Sequence, residues 1–221
     1  MTTRSESGAP ATGADAAHLQ SPLVPDPTAS PPAPFVRAVA SLDGLRPRRE
    51  LVVRPLKAPP KMAPFGWACT VEADIVHRGD GTDDLDEPDT SGRLILLHDP
   101  AGQDAWEGTF RLVCFVQARL EREQLGDEML PVIAWSWLTE ALAELGAGHR
   151  ALGGTVTQTS SVRFGDIAGP NRDDDVELRA SWTPTEGDGD LAAHGEAFHR
   201  LVATAAGLPP VGVRTLAERS C

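Results

Sequence analysis

Tyrosine is absent from this 221-residue chain, and lysine occurs only at Lys57 and Lys61. Positive charge is scarce altogether, with 20 Lys and Arg against 32 Asp and Glu and a net charge of −12. A protein that grips DNA displaces counterions with a basic footprint, and the chain as a whole offers none, so DNA is excluded as a partner. Arg46, Arg48, Arg49 and Arg54 form only a short basic cluster. Three cysteines, Cys69, Cys114 and Cys221, show neither CxxC nor a zinc spacing. An odd count without a secretory leader points to a reducing cytoplasm and not to a disulfide framework. The N-terminus lacks the basic start and apolar run of a signal peptide. No apolar stretch reaches the ~20 residues of a membrane helix, so a membrane is excluded as well.

Catalytic signatures are missing too. There is no GxxxxGK[ST], no GxGxxG after a strand and no GxSxG elbow. His194 and His199 stand five apart, about 140° around a helix, and cannot share a metal as an i, i+4 pair does. The acidic loop at 79–91 departs from a calcium loop at Thr82. No metal and no cofactor is expected.

What is present is mostly pattern. Residues 1–33 are rich in Pro, Ala, Ser, Thr and Gly, and hold too few large apolar groups to repay the entropy of ordering. They read as a disordered tail, followed by one domain over 34–216 and a short C-terminal end at 217–221. Phe35, Ala38, Val39 and Leu42 make a helical stripe behind Pro34. Strands follow at "RRELVVRPL", cut by Pro55, then "WACTVEADIVH", "RLILLHD" and "GTFRLVCFVQARLE". Val113 and Phe115 oppose the apolar face of the last of these, implying a central strand covered on both sides. "GDEMLPVIAWSWLTEALAELGAG" is a helix with Asp127 as cap and Gly146 as stop. "GGTVTQTSSVRFGD" and "VELRASW" are two more strands, and "DLAAHGEAFHRLVATAAG" is the last helix, with His194 a core residue. Asp99 and Pro100 mark a turn after His98. The order α-β-β-β-β-α-β-β-α predicts an α+β domain: one mostly antiparallel sheet of five or six strands, helices on one face. By analogy the order is similar to that of secretion chaperones, which dimerise and hold other proteins.

The strand at 153–166 is the candidate site. Counted by twos, Thr155, Thr157, Thr159, Ser161 and Arg163 share one face, with Asp166 beyond. Hydroxyls there suit either a solvated strand or an adaptable recognition face, and Arg163 offers a fork for a carboxylate or phosphate, unless Asp166 holds it. Trp106, Arg111, Trp135 and Trp137 are added as the residue types that dominate interface hot spots. The reading is a non-catalytic, cytoplasmic binding or adaptor protein with a protein partner, and a homodimer is compatible with it. The alternative is an enzyme or small-molecule binder with a pocket between sheet and helices, using His98, Asp99, Arg163 or Asp166. A third reading, accessory to an RNA-processing nuclease, meets the objection of charge.

The blocks "RLILLHDPAGQDAWEGTFRLVCFVQARLE", "WSWLTEAL", "GGTVTQTSSVRFGDIAGP" and "VELRASWTP" resemble an actinobacterial family known only as domain of unknown function number three thousand. The resemblance runs from about Phe35 to about Leu216. That family has no established activity, so it implies no catalytic residue, cofactor or substrate. Its members tend to be encoded near an RNase D-type exonuclease and haem-synthesis genes, which supplies context without mechanism.

Overall fold

The computed structural model describes residues 30–73, 90–120, 126–167, 173–185 and 189–212. Most of the expected tail, most of the acidic loop at 79–91 and the C-terminal end lie outside the described residues. The elements run α1 (Ala33–Asp43), β1 (Leu51–Leu56), β2 (Phe65–Ala73), β3 (Thr90–Gln103), β4 (Gly108–Arg119), α2 (Leu130–Glu144), β5 (His149–Ser161), β6 (Asp173–Pro184) and α3 (Ala192–Ala205). The six strands form one antiparallel sheet in the order β1-β2-β3-β4-β6-β5. The α+β class and the element order are those expected from the sequence.

Local pattern explains most elements. Pro34 stands in the first turn of α1, where its missing N–H costs nothing, and Phe35, Ala38 and Leu42 are buried. In α2, Leu130, Ala134, Leu138, Ala141 and Leu142 are buried, and Gly146 follows the C-cap with a left-handed φ of 65°. Asp127 does not cap α2. The N-cap is Met129, whose N–H donates to the Asp127 carboxylate at 2.8 Å in the turn before the helix. Pro55 does not cut β1. It pairs within the strand opposite Cys69, tolerated because β1 is an outer strand.

All three helices lie on one face of the sheet. There Phe110, Leu112, Cys114, Val116 and Ala118 of β4 are buried, and register sets Leu112 between Leu96 and Trp182, Cys114 between Leu94 and Ala180. Gly92 lets α3 settle on β3: a Cβ at that position would fall 2.7 Å from Val202 and 2.9 Å from Phe198. Burying side chains of that size contributes about 1.5–3 kcal/mol each. Trp182 and His194 are both fully buried, and the indole N–H donates to His194 Nδ1 at 3.1 Å. His194 is a satisfied core residue.

The other face is different. Val113 and Phe115 suggested cover on both sides of β4, yet no described element packs over them, and both stay half-buried. β4 is central by pairing, between β3 and β6, but not by layering. Apolar residues on the second face mark an uncovered surface.

Candidate functional site

Strand pairing assembles that surface from residues far apart in sequence. One row crosses all six strands: Arg54, Thr70, Arg93, Phe115, Arg179, Thr155. Neighbouring strands lie about 4.8 Å apart, so the three arginines recur at steps of about 10 Å. The row beside it reads Val52, Glu72, Ser91, Gln117, Glu177, Thr157. On the other flank lie Leu56, Ala68, Ile95 and Val113, an apolar strip that ends at Ser181.

Phe115 carries a guanidinium from each neighbouring strand, Arg93 at 5.7 Å and Arg179 at 5.4 Å from the ring centroid. Such contacts are worth about 0.5–1 kcal/mol at exposed sites, and they hold both arginines over the ring. Glu72 pairs with Arg54, and Glu177 with Arg179 at 2.6 Å. Among the described residues no carboxylate pairs with Arg93. An exposed guanidinium fixed by an aromatic ring keeps its N–H edge for an outside carboxylate.

The residues expected as a site fall into separate groups. Thr155, Thr157, Thr159 and Ser161 are exposed on the uncovered face, along β5 at the sheet edge. Arg111 shares that face but is bound up internally. It donates to the Ala151 carbonyl, the Thr183 hydroxyl and the Ser181 hydroxyl at 2.7–3.2 Å. Burial also lowers its pKa from the ordinary value. Trp106 lies in a 3-10 turn between β3 and β4, half-buried, its carbonyl accepting from Thr183. Trp135 and Trp137 are on α2, across the sheet from the threonines, with Trp135 seated on Gly154. Arg163 and Asp166 lie past the strand, which ends at Ser161 and gives way to a 3-10 turn at Gly165–Ile167.

His98, Asp99, Arg163 and Asp166 do not converge. His98 pairs opposite Phe110 at the end of the sheet where β4 begins. Arg163 and Asp166 follow Ser161, which pairs with Asp173 at the opposite end. His98 lies in an aromatic cluster of Phe35, Phe65 and Phe110, and Asp99 turns inward on its own loop, accepting from Ala101 N–H and Gln103 Nε2. The hairpin tip is displaced accordingly, from Asp99-Pro100 to Asp104–Glu107.

The family model described as "Protein of unknown function (DUF3000)" matches residues 31–214. The chain belongs to that family. No curated protein and no solved structure matches it. The likeness to secretion chaperones therefore rests on element order alone.

The helix side of this DUF3000 member holds two adjoining clefts. One of 340 Å³ is lined by Leu42, Asp43, Val53, Trp67, Cys69 and His199, among others, and Trp67 Nε1 donates to Asp43 at 3.1 Å. The second, of 590 Å³, runs past Arg46, Arg48, Glu144, Glu196 and Arg200. His199 and Pro47 line both. Two arginines of the second cleft are engaged with carboxylates. Arg200 pairs with Glu144, and the hydrogen-bonded Arg48 guanidinium holds the Glu50 carboxyl down at about 2. Among the described residues no group of three His, Cys, Asp or Glu side chains comes together as a metal set, and no helix is long and apolar enough to cross a membrane.

Proposed function

We propose that this chain is a non-catalytic binding or adaptor domain whose uncovered sheet face receives an extended acidic segment of a protein partner. The row Arg54–Thr70–Arg93–Phe115–Arg179–Thr155 carries the reading. A polyproline-type segment has three residues per turn and rises about 3.1 Å per residue, so every third side chain recurs at about 9.3 Å on one face. That period matches arginines spaced by two strands. A carboxylate of the segment would meet Arg93 directly, and those three residues to either side would displace Glu72 from Arg54 and Glu177 from Arg179. The apolar strip of Ile95 and Val113 would take the residues between. The buried free thiols of Cys69 and Cys114 fit a reducing, cytoplasmic setting.

RNA fits this face less well. A base needs an open aromatic face to stack on, and guanidiniums lie over Phe115 from both neighbouring strands. A second reading, a small-molecule site, is favoured by the paired clefts that meet at His199.

A fluorescent (Glu-Pro-Pro) repeat peptide tests the proposal against a (Lys-Pro-Pro) peptide and a single-stranded RNA by anisotropy. Binding of the Glu peptide alone, weakened by salt and lost in Arg93→Glu and Arg179→Glu but kept in Val36→Lys on α1, supports it. Equal binding of the Glu and Lys peptides, or full binding by Arg93→Glu, overturns it.

A further inference from the structure

Sheet edges are liabilities, because half of their backbone N–H and C=O groups point outward unpaired. The two edges of this sheet are not alike. β1 is a six-residue strand that includes Arg54 and Pro55, both devices that block further pairing. β5 is 13 residues long. Its register irregularity is confined to Arg150–Gly153, and from Gly153 to Ser161 it is regular, with no charge and no proline. β6 occupies one side of it, and no described strand occupies the other.

We infer that β5 pairs antiparallel with β5 of a second copy of this chain, about a two-fold axis near Thr157, joining the two sheets into one. The sequence around that axis is self-complementary. An axis at Thr157 sets residue 157 against its own copy and 155 against 159. The uncovered face of the seam then carries Thr–Thr pairs at its centre, which hydrogen-bond across strands and fit the pleat, flanked by Gly153 meeting Ser161. On the helix side Val156 meets Gln158 and Gly154 meets Ser160. An isologous interface opposes every charge near its axis with the same charge, so only a neutral strand pairs with itself without penalty.

Charge also selects this patch within the molecule. Each copy carries −12, so association is opposed at long range and needs a neutral contact. Residues 153–161 supply one. The helix side adds apolar surface beside the seam. Trp135 seats α2 on Gly154, and Val132, on the same side of α2, is 60% exposed. A contact made of one strand edge and one helix flank is small beside the roughly 1,200–2,000 Å² of stable interfaces, so a dimer of modest affinity is expected.

Sedimentation of the full chain over a concentration series, with Thr157→Lys, Thr157→Glu and their equimolar mixture, tests this. Wild type should sediment as a dimer at the upper concentrations. Each variant alone should be monomeric with unchanged circular dichroism and melting, and the mixture should recover the dimer, since Lys then faces Glu across the axis. Amide exchange in 153–161 should slow as wild-type concentration rises. Wild type that stays monomeric throughout, or Thr157→Lys that remains fully dimeric, overturns the inference. So does a mixture that fails to recover the dimer while both single variants are folded monomers.

Discussion

Lowering the pH from about 7.5 to about 5.5 should destabilise this protein through His98. Its ring lies among Phe35, Phe65 and Phe110 at centroid distances of 5.9, 6.1 and 4.2 Å. Nδ1 lies 3.0 Å from the Thr109 carbonyl, so Nδ1 carries the proton and donates, leaving Nε2 as a bare acceptor. Nε2 is buried with no partner among the described residues. Burial pushes the His98 pKa below the ordinary value, against smaller opposing effects of the Thr109 carbonyl and Asp99. The unfolded chain takes up a proton near pH 6.5, while the folded one resists it until a lower pH. Between those two values the unfolded state binds more protons. Stability is therefore full above about pH 6.5 and falls as pH drops, by up to about 1.4 kcal/mol per pH unit for the group, until the folded pKa is passed. The Tm falls over the same range, by about 2–4 °C for each kcal/mol lost in a domain of this size. Urea titrations at the two pH values measure it. His199 is shifted the same way by burial, so His98→Phe should remove part of the slope and His98→Phe/His199→Gln a larger part. The same variant relieves an unpartnered acceptor worth about 1–3 kcal/mol but loses the Thr109 bond, so its stability at about pH 7.5 should change little. Wild type equally stable at both pH values, or His98→Phe with the full wild-type slope, would refute the argument.

Gly154→Ala should cost about 2–3 kcal/mol, a Tm drop of roughly 5–10 °C. Its Cβ would fall 2.2 Å from the Arg179 carbonyl oxygen and 2.8 Å from the Trp135 ring, and backbone cannot yield as a side-chain tip can. Calorimetry checks it, and an unchanged Tm would mean that β5 and β6 do not approach so closely. A Cys221→Ser variant should react only slowly with a thiol reagent near pH 8 until it is unfolded. Burial raises the thiol of Cys69 to about 11 and that of Cys114 to about 12, so almost no thiolate is present. Fast stoichiometric labelling of the native variant would contradict that burial.

The sequence alone determined the elements and what it costs to leave them apart. Stripes at 3.6 placed α1 to α3, alternation placed the strands, and a run of consecutive strands with no helix between them made the sheet mostly antiparallel. Thr155, Thr157, Thr159 and Ser161 were legible as one face because a strand's own period orders them. The row Arg54–Arg93–Phe115–Arg179 was not, because its members belong to four strands and only register brings them together. Periodicity fixes which side of its own strand a residue takes and says nothing of which residue lies beside it. Val113 and Phe115 misled for the same reason. Two apolar faces imply a second layer in most sheets, and here Phe115 is instead covered by arginines reaching over from β3 and β6. That β5, a strand from late in the chain, lies at the edge while β6 fills the gap beside β4 was likewise settled by tertiary pairing. Strand order is a choice among contacts distant in sequence, and no local pattern encodes it.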